Sequence, residues 1–486
     1  MSESQVIVVG AGPAGLTAAW ELAMKGIEVT VLEADPEHVG GLARTINYKG
    51  HRFDIGAHRF FSKNPEITRW WHERLPEDFV RIKRLTRIHF RGRFFHYPLR
   101  AGDALFGLGL WTSGKSVLSY LRRQMAPIRP ERSFADWVCN RFGDELYRIF
   151  FKTYTEKVWG MPCSAISADW ASQRIRGLSL RRAILDAVGI RQNSVRTLVD
   201  EFEYPRLGTG MLWEKVRADI TRKGGRVLLG RRVTRLEREG QRISAVLTMT
   251  PAGEVERWPA KDFIVSMPLR DTVLNVEPPM AEPSREAARR LLYRDFLLVA
   301  LIVNRTNLFP DQWIYIHDPA VKVGRIGNYN NWTSEMATDR GATCLEMEYF
   351  CSQGDSFWQQ TDADLITRAK RELEQLGLAK AAEVQEACVV RVEKAYPVYD
   401  EKYRDNVNII RQALAEIGNL QTIGRNGLHK YNNQDHSMLT GMLAARNVMG
   451  ARHDPWRVNI DDEYHEEENN ATTTGRKVPQ RIAVEP

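Results

Sequence analysis

Residues 6–15 read Val6-Ile7-Val8-Val9-Gly10-Ala11-Gly12-Pro13-Ala14-Gly15, and a later run closes as Val31-Leu32-Glu33-Ala34. The pattern predicts a buried strand, a glycine turn, a helix and a second strand ending at an acid. Gly10 permits the tight turn, Gly12 lets a pyrophosphate approach bare backbone, and Gly15 lets the helix pack closely on the sheet. The helix N-terminus offers free N–H groups and a partial positive charge to that pyrophosphate. Glu33 stands about where a ribose 2′-OH needs an acceptor. A second loop follows, Gly40-Gly41-Leu42-Ala43-Arg44-Thr45. A further glycine pair with an arginine suits FAD better than NAD, because the ribityl chain and second phosphate of FAD extend beyond the first turn. These residues predict an FAD cradle of Gly10, Gly12, Pro13, Ala14, Gly15, Glu33, Ala34, Gly41, Leu42 and Arg44.

The chain has 486 residues, enough for two or three domains with a sizeable core. A hydrophobic content of 43% with 27% charged residues suits a globular enzyme. The net charge of +8 favours an anionic ligand or an acidic surface, and no nucleic-acid motif accompanies it. Cys139, Cys163, Cys344, Cys351 and Cys388 are scattered, without metal-ligand spacing. They read as free thiols of a reducing compartment, with no metal expected. The N-terminal apolar run lacks a basic n-region, and its glycines belong to the nucleotide turn, so it is not read as a signal sequence. No apolar stretch approaches the roughly 18 residues a spanning helix needs. The expectation is a cytoplasmic protein, with a peripheral membrane contact left open.

The fold class expected is α/β: a discontinuous Rossmann-like FAD-binding domain, an antiparallel-sheet substrate domain and a helical insertion. The FAD domain is expected from 1–85, 205–275 and 415–455, and the antiparallel sheet from 86–100 and 276–414. Helices are expected over 101–204, with apolar spacing at 134–151 and 178–188. Residues 85–96 alternate as a hairpin. Strands are expected at 226–229, 233–236, 243–250 and 262–267, then at 296–303, 313–317, 344–350 and 420–425. An amphipathic helix spans 362–376, and a closing helix over 437–448 can present its N-terminus to a ligand. Val233, Gly56, Gly424, Ser437 and Met438 complete the expected cofactor contacts. From 456 onward the chain reads as a disordered tail, turning acidic at Asp461.

Three further segments carry a family resemblance. They are Gly56-Ala57-His58-Arg59-Phe60-Phe61, then Phe142 to Tyr147 continuing through Phe150-Phe151-Lys152-Thr153-Tyr154-Thr155-Glu156-Lys157-Val158-Trp159-Gly160-Met161, and Gly424-Arg425-Asn426-Gly427 through Tyr431. With the N-terminal fingerprint, the chain resembles the FAD-dependent superfamily of amine oxidases and protoporphyrinogen oxidases. Its middle is similar to UDP-galactopyranose mutase. That resemblance implies that His58 lies beside the flavin, Trp159 near a bound uridine, and Arg325 on a diphosphate. It implies that Arg425 lies near flavin and diphosphate, with Tyr396 and Tyr431 as diphosphate-binding tyrosines and Arg174 as a loosely matched mobile-loop arginine. His58, Arg325, Arg425, Tyr396 and Tyr431 are the candidate catalytic residues. Arginine forks bind phosphate oxygens in pairs, and a tryptophan face stacks on a nucleobase, so these roles make physical sense. The chain departs from the family at Asn433, where an aspartate is expected. It also departs between Trp159 and Gly208, where an added amphipathic helix is expected over 179–188 and Tyr204 is only a candidate sugar contact.

Two enzyme classes follow. In the mutase reading, N5 of reduced flavin attacks the anomeric carbon of a nucleotide-diphosphate sugar while the protein holds the leaving diphosphate. In the alternative, an FAD-dependent oxidase or dehydrogenase takes hydride from a C–H or amine-bearing carbon. A third reading, a non-catalytic flavoprotein, is disfavoured by the intact cofactor loops. The expected partners are a nucleotide sugar or other anionic small molecule, with NAD(P)H as a candidate reductant. A homo-oligomer is the default for such enzymes.

Overall fold

The computed structural model describes residues 4–56, 58–97, 107–168, 201–337, 339 and 341–459. Arg174, the helix expected at 179–188 and the chain from residue 460 onward lie outside the described residues. Ser4–Val9 pairs in parallel with Val29–Leu32 on one side and with the second half of Val255–Val265 on the other. Arg226–Leu228 and Leu420–Thr422 extend this parallel sheet at its two ends.

Side-chain alternation explains why the first strand reads as uniformly apolar. Val6 and Val8 pack with Leu16, Trp213 and Met438, carried by the helices Pro13–Met24, Gly210–Arg222 and Gln434–Val448. Ile7 and Val9 face the opposite layer, with Leu236, Val246 and Ile410. Val255–Val265 is longer than the strand expected at 262–267 because it serves twice. Its first half pairs antiparallel with Arg242–Met249, which in turn pairs with Arg232–Glu239.

The second sheet runs in the order Val384–Pro397, Tyr293–Val303, Thr343–Cys351, Arg325–Asn328, Trp313–Ile316, Thr86–Phe90 and Arg93–His96. All its neighbours are antiparallel except Trp313–Ile316 with Thr86–Phe90. Odd positions Leu345, Met347 and Tyr349 bury against the helix Asp362–Gln375. Even positions Cys344 and Phe350 face the other side, with Phe53, Ile55 and Tyr204. That second face carries the site.

The helix expected over 134–151 is broken in two. Ser133 caps Phe134–Leu146 by accepting from the Asp136 N–H at 3.1 Å. Gly143 then takes φ 81°, and a Cβ there would meet the Tyr120 backbone nitrogen at 2.6 Å. Close approach of the helix Leu110–Met125 therefore requires glycine at this point. A π-helical turn, Tyr147–Lys152, leads into Thr153–Trp159. Residues 456–459, expected within a disordered tail, belong to the folded body instead. Pro455–Arg457 forms a 3-10 turn, Val458 is buried, and the Lys430 ammonium donates to the carbonyls of Trp456 and Val458. A buried ammonium needs such acceptors, which ties residues 456–459 to the body. Among the described residues, no helix is long and apolar enough to cross a membrane, and no cluster of ligating side chains suits a metal.

Candidate active site

The glycine turn forms as its residue types require. Gly10 adopts φ 95°, and a Cβ on it would lie 2.2 Å from Ser266 Oγ. Gly12 is the N-cap and Pro13 opens the helix, where its missing N–H costs nothing. The second loop crosses the first at close range: a Cβ on Gly41 would meet Gly12 Cα at 3.2 Å. Leu42 follows in the 3-10 turn Gly41–Ala43. Gly424, at φ 83°, closes a third side, with its hypothetical Cβ 3.1 Å from the Ala14 side chain. Its N–H donates to Thr440 Oγ1, and Asn432 donates to its carbonyl.

Glu33 accepts from the Ala11 N–H at 2.6 Å and from the Asp35 N–H at 2.8 Å, so it braces the loop. Burial pushes its carboxyl above the ordinary range. Ala34 lies between these two anchors, and the segment before Val233 joins them, since the Arg231 N–H donates to the Glu33 carbonyl. Arg44 donates through Nη1 to the Gly41 carbonyl, while its buried Nε makes no hydrogen bond and faces the Asp35 carboxylate at 3.7 Å. Ser437 and the buried Met438 sit in the first turn of Gln434–Val448, capped by Asn433. Three bare-backbone loops, a helix N-terminus and a nearby arginine fit a diphosphate-bearing dinucleotide.

From this cradle the chain runs to a fully buried carboxylate, Asp54. It accepts from Tyr204 OH at 2.6 Å, the Thr209 N–H at 3.2 Å, and the hydroxyls of Thr45 and Thr209. Burial pushes its pKa up to about 6 against those bonds. Tyr204 is thus committed to Asp54 and is not the sugar contact considered from sequence. The Thr209 Oγ1 that donates to Asp54 also lies 3.2 Å from the His58 carbonyl, so Asp54 helps position the loop that carries His58.

His58 places Nδ1 2.9 Å from the Gly56 carbonyl. Burial, then the Arg425 charge and more weakly that of Arg325, pushes its pKa down to about 3. At neutral pH the ring is uncharged. With Nδ1–H donating to Gly56, Nε2 is left as an acceptor. Gly56 has φ 81°, and a Cβ there would meet Arg325 Nη2 at 3.2 Å. Arg325 and Glu348 are cross-strand neighbours, and Nε of Arg325 donates to Glu348 Oε1 at 2.6 Å in a two-armed pair. Beside them Glu346 accepts from the Gly56 N–H at 2.8 Å. Burial and the Glu348 charge push the Glu346 carboxyl well above the ordinary range.

Aromatic rings complete the wall. Tyr396 stacks on Tyr431 at 5.6 Å, and Trp159 lies 6.5 Å and 6.4 Å from them. The Arg425 guanidinium sits 4.8 Å from the Tyr431 ring and 5.5 Å from that of Tyr396. Arg425 is itself anchored to the carbonyls of Asn432 and Ala395. Tyr154 stacks on His317 at 4.8 Å and comes under the influence of Arg325 and Tyr396. Lys157, one turn on, donates to the carbonyls of Ile316, Asp318 and Val323, fastening this helix to the sheet.

The structure therefore gathers His58, Arg325, Arg425, Tyr396, Tyr431 and Trp159 at one place. Asn433 caps the helix Gln434–Val448. Glu346, Glu348, Tyr154 and Asp54 belong to the same constellation and escape the sequence reading. The signal for the two glutamates was present: they share the even face of an alternating strand whose other members are apolar.

Cradle and sheet together define an FAD-dependent flavoenzyme. The chain matches the family of flavin containing amine oxidoreductases over residues 13–448, and it belongs to that family. The fold is shared with reduced UDP-galactopyranose mutase, at a TM-score of 0.81 and 19% identity, covering 93% of this chain and 97% of that one. A putative protoporphyrinogen oxidase from Exiguobacterium sp. 255-15 gives a TM-score of 0.69 at 18% identity, covering 93% and 100%. At these identities the likeness establishes fold. Among curated proteins, the probable UDP-galactopyranose mutase of Klebsiella pneumoniae is 25% identical over 175 residues, 35% of this chain and 44% of that protein. Protoporphyrinogen oxidase 2 of Arabidopsis thaliana is 43% identical over 67 residues, 14% of this chain and 13% of that protein. The alignments span less than half of these curated relatives. The comparisons support FAD and bring no support for NAD(P)H.

Proposed function

We propose that this flavoenzyme catalyses a redox-neutral rearrangement of a nucleotide-diphosphate sugar, in the manner of UDP-galactopyranose mutase. The observation that carries the reading is the pair of anchored guanidiniums, Arg325 and Arg425, whose charges both act on neutral His58. Each is held through two of its nitrogens. The remaining one, Nη1 of Arg325 and Nη2 of Arg425, makes no hydrogen bond among the described residues. Two pre-oriented donors suit the oxygens of a leaving diphosphate and would repel a protonated amine. Gly12, Gly41, Arg44 and Gly424 hold the FAD, and reduced flavin supplies a nucleophile for the anomeric carbon when bound. Trp159, 3% exposed, backs the ring wall formed by Tyr396 and Tyr431, whose hydroxyls are candidate donors to a phosphate. His58 Nε2 accepts a hydrogen bond without adding charge. The same aromatic trio suits the oxidoreductase alternative, in which a substrate carbon surrenders hydride.

Titration of UDP into the flavin-loaded protein tests the diphosphate clamp. Arg325→Ala and Arg425→Ala should each weaken binding by about 1.5–3 kcal/mol, or roughly 10- to 150-fold, with the flavin spectrum retained as a check on folding. Unchanged affinity in both variants would remove the diphosphate from the reading. A soluble enzyme of the cytoplasm acting as a homo-oligomer accords with this proposal.

A further inference from the structure

The helix Leu110–Met125 is amphipathic in the inverted sense. Its inner face, toward Phe134–Leu146, is built of Ser113, Ser116 and Tyr120, with Ser113 8% and Ser116 1% exposed. Its outer face carries the large apolar side chains: Trp111 is 77% exposed, Leu118 69%, Leu121 49% and Met125 81%. Residues 111, 118 and 125 recur every two turns and 121 falls between them, so they form one stripe. A helix of a free-standing globular protein turns such a stripe inward.

Charge distinguishes what covers it. Lys115 and Arg122 are exposed on the same helix, Arg129 is exposed just beyond it, and the helix contains no acid. Lys115 lies 5.0 Å from the Trp111 ring. The neighbouring acids are already committed. Glu131 pairs with Arg141 at 2.9 Å, Asp144 with Arg123 at 2.6 Å, and Glu145 with Arg148 at 2.6 Å, while Asp136 accepts from the Ser133 N–H at 3.0 Å. Among the described residues, the stripe is thus flanked by cations without local counter-charge. A second copy of this face would set like charges against one another. A bilayer carrying anionic lipid offers apolar depth to Trp111, Leu118 and Met125 and phosphate oxygens to Lys115, Arg122 and Arg129. We propose that Leu110–Met125 is an interfacial helix that docks this enzyme on an anionic phospholipid surface. The helix lies on the membrane plane and does not span it.

Co-sedimentation of the full flavin-loaded chain with lipid vesicles tests this. The protein should pellet with vesicles of phosphatidylcholine and phosphatidylglycerol, remain in solution with phosphatidylcholine alone, and be released by salt. Lys115→Gln and Arg122→Gln should weaken partitioning about fivefold each. Trp111→Ser with Leu118→Ser should abolish it. These side chains are exposed, so flavin content should be unchanged in every variant. Two results would overturn the proposal: no pelleting with anionic vesicles, or pelleting indifferent to the four substitutions. Sedimentation velocity without lipid gives a third. A dimer that Trp111→Ser and Leu118→Ser convert to monomer would make the stripe a self-interface instead.

Discussion

Glu348→Ala is expected to destabilise the protein by about 3 kcal/mol and to weaken nucleotide binding with it. Glu348 is 1% exposed and takes both arms of the Arg325 guanidinium. Removing it leaves a buried cation without its counter-ion, which typically costs about 3–5 kcal/mol. The lower end applies because a second carboxyl stands ready. Burial and the Glu348 charge raise the Glu346 carboxyl above its ordinary range, and Arg325 pulls it the other way. Without Glu348 the upward push on the Glu346 carboxyl weakens, and Glu346 is expected to take over part of the pairing. Adding Glu346→Gln removes that rescue, so the double variant should lose more than the sum of the single losses. Chemical denaturation of the four proteins of this cycle measures the coupling. Strict additivity would mean that the two glutamates do not share Arg325.

Gly15→Val should yield protein largely without flavin and about 1–3 kcal/mol less stable. A Cβ at Gly15 would lie 1.9 Å from the Gly10 carbonyl oxygen, a backbone atom with no rotamer to swing aside. The helix Pro13–Met24 must lift from the turn. That displaces Gly12 from Gly41 and opens the cradle on which both phosphates depend. Gly114→Ala is the matched control, because a Cβ there meets nothing within 4 Å and the backbone φ is not positive. Flavin absorbance per polypeptide is the measurement. Full occupancy in Gly15→Val would show that the turn does not hold the cofactor.

What could be read from sequence divides along physical lines. The nucleotide turn was legible because its determinants are local: glycine φ angles, backbone approach and a strand apolar on both faces all fall within a few residues. The even-face residues of Thr343–Cys351 were legible as strand but not as site. Glu346 and Glu348 matter only because Arg325 and Gly56 arrive beside them from other parts of the chain. Asp54 draws its partners from Thr45, Tyr204 and Thr209, a convergence that no local pattern announces. Val384–Pro397 was missed altogether. As an edge strand it carries Glu386, Arg391, Glu393 and Lys394, and its charged residues hide the period of two. Gly143, inside a good helical pattern, breaks the helix for a neighbour that sequence spacing does not reveal.

The central proposal is that the flavin works without net redox change on a nucleotide sugar. The direct measurement is an anaerobic incubation of dithionite-reduced enzyme with a UDP-sugar, with product followed by NMR and mass spectrometry and the flavin followed by its absorbance. The account predicts a new nucleotide sugar of unchanged mass, with the flavin still reduced at the end and no turnover by the oxidised enzyme. Turnover only by oxidised enzyme, with a product two hydrogens lighter and the flavin reduced or oxygen consumed, would contradict it.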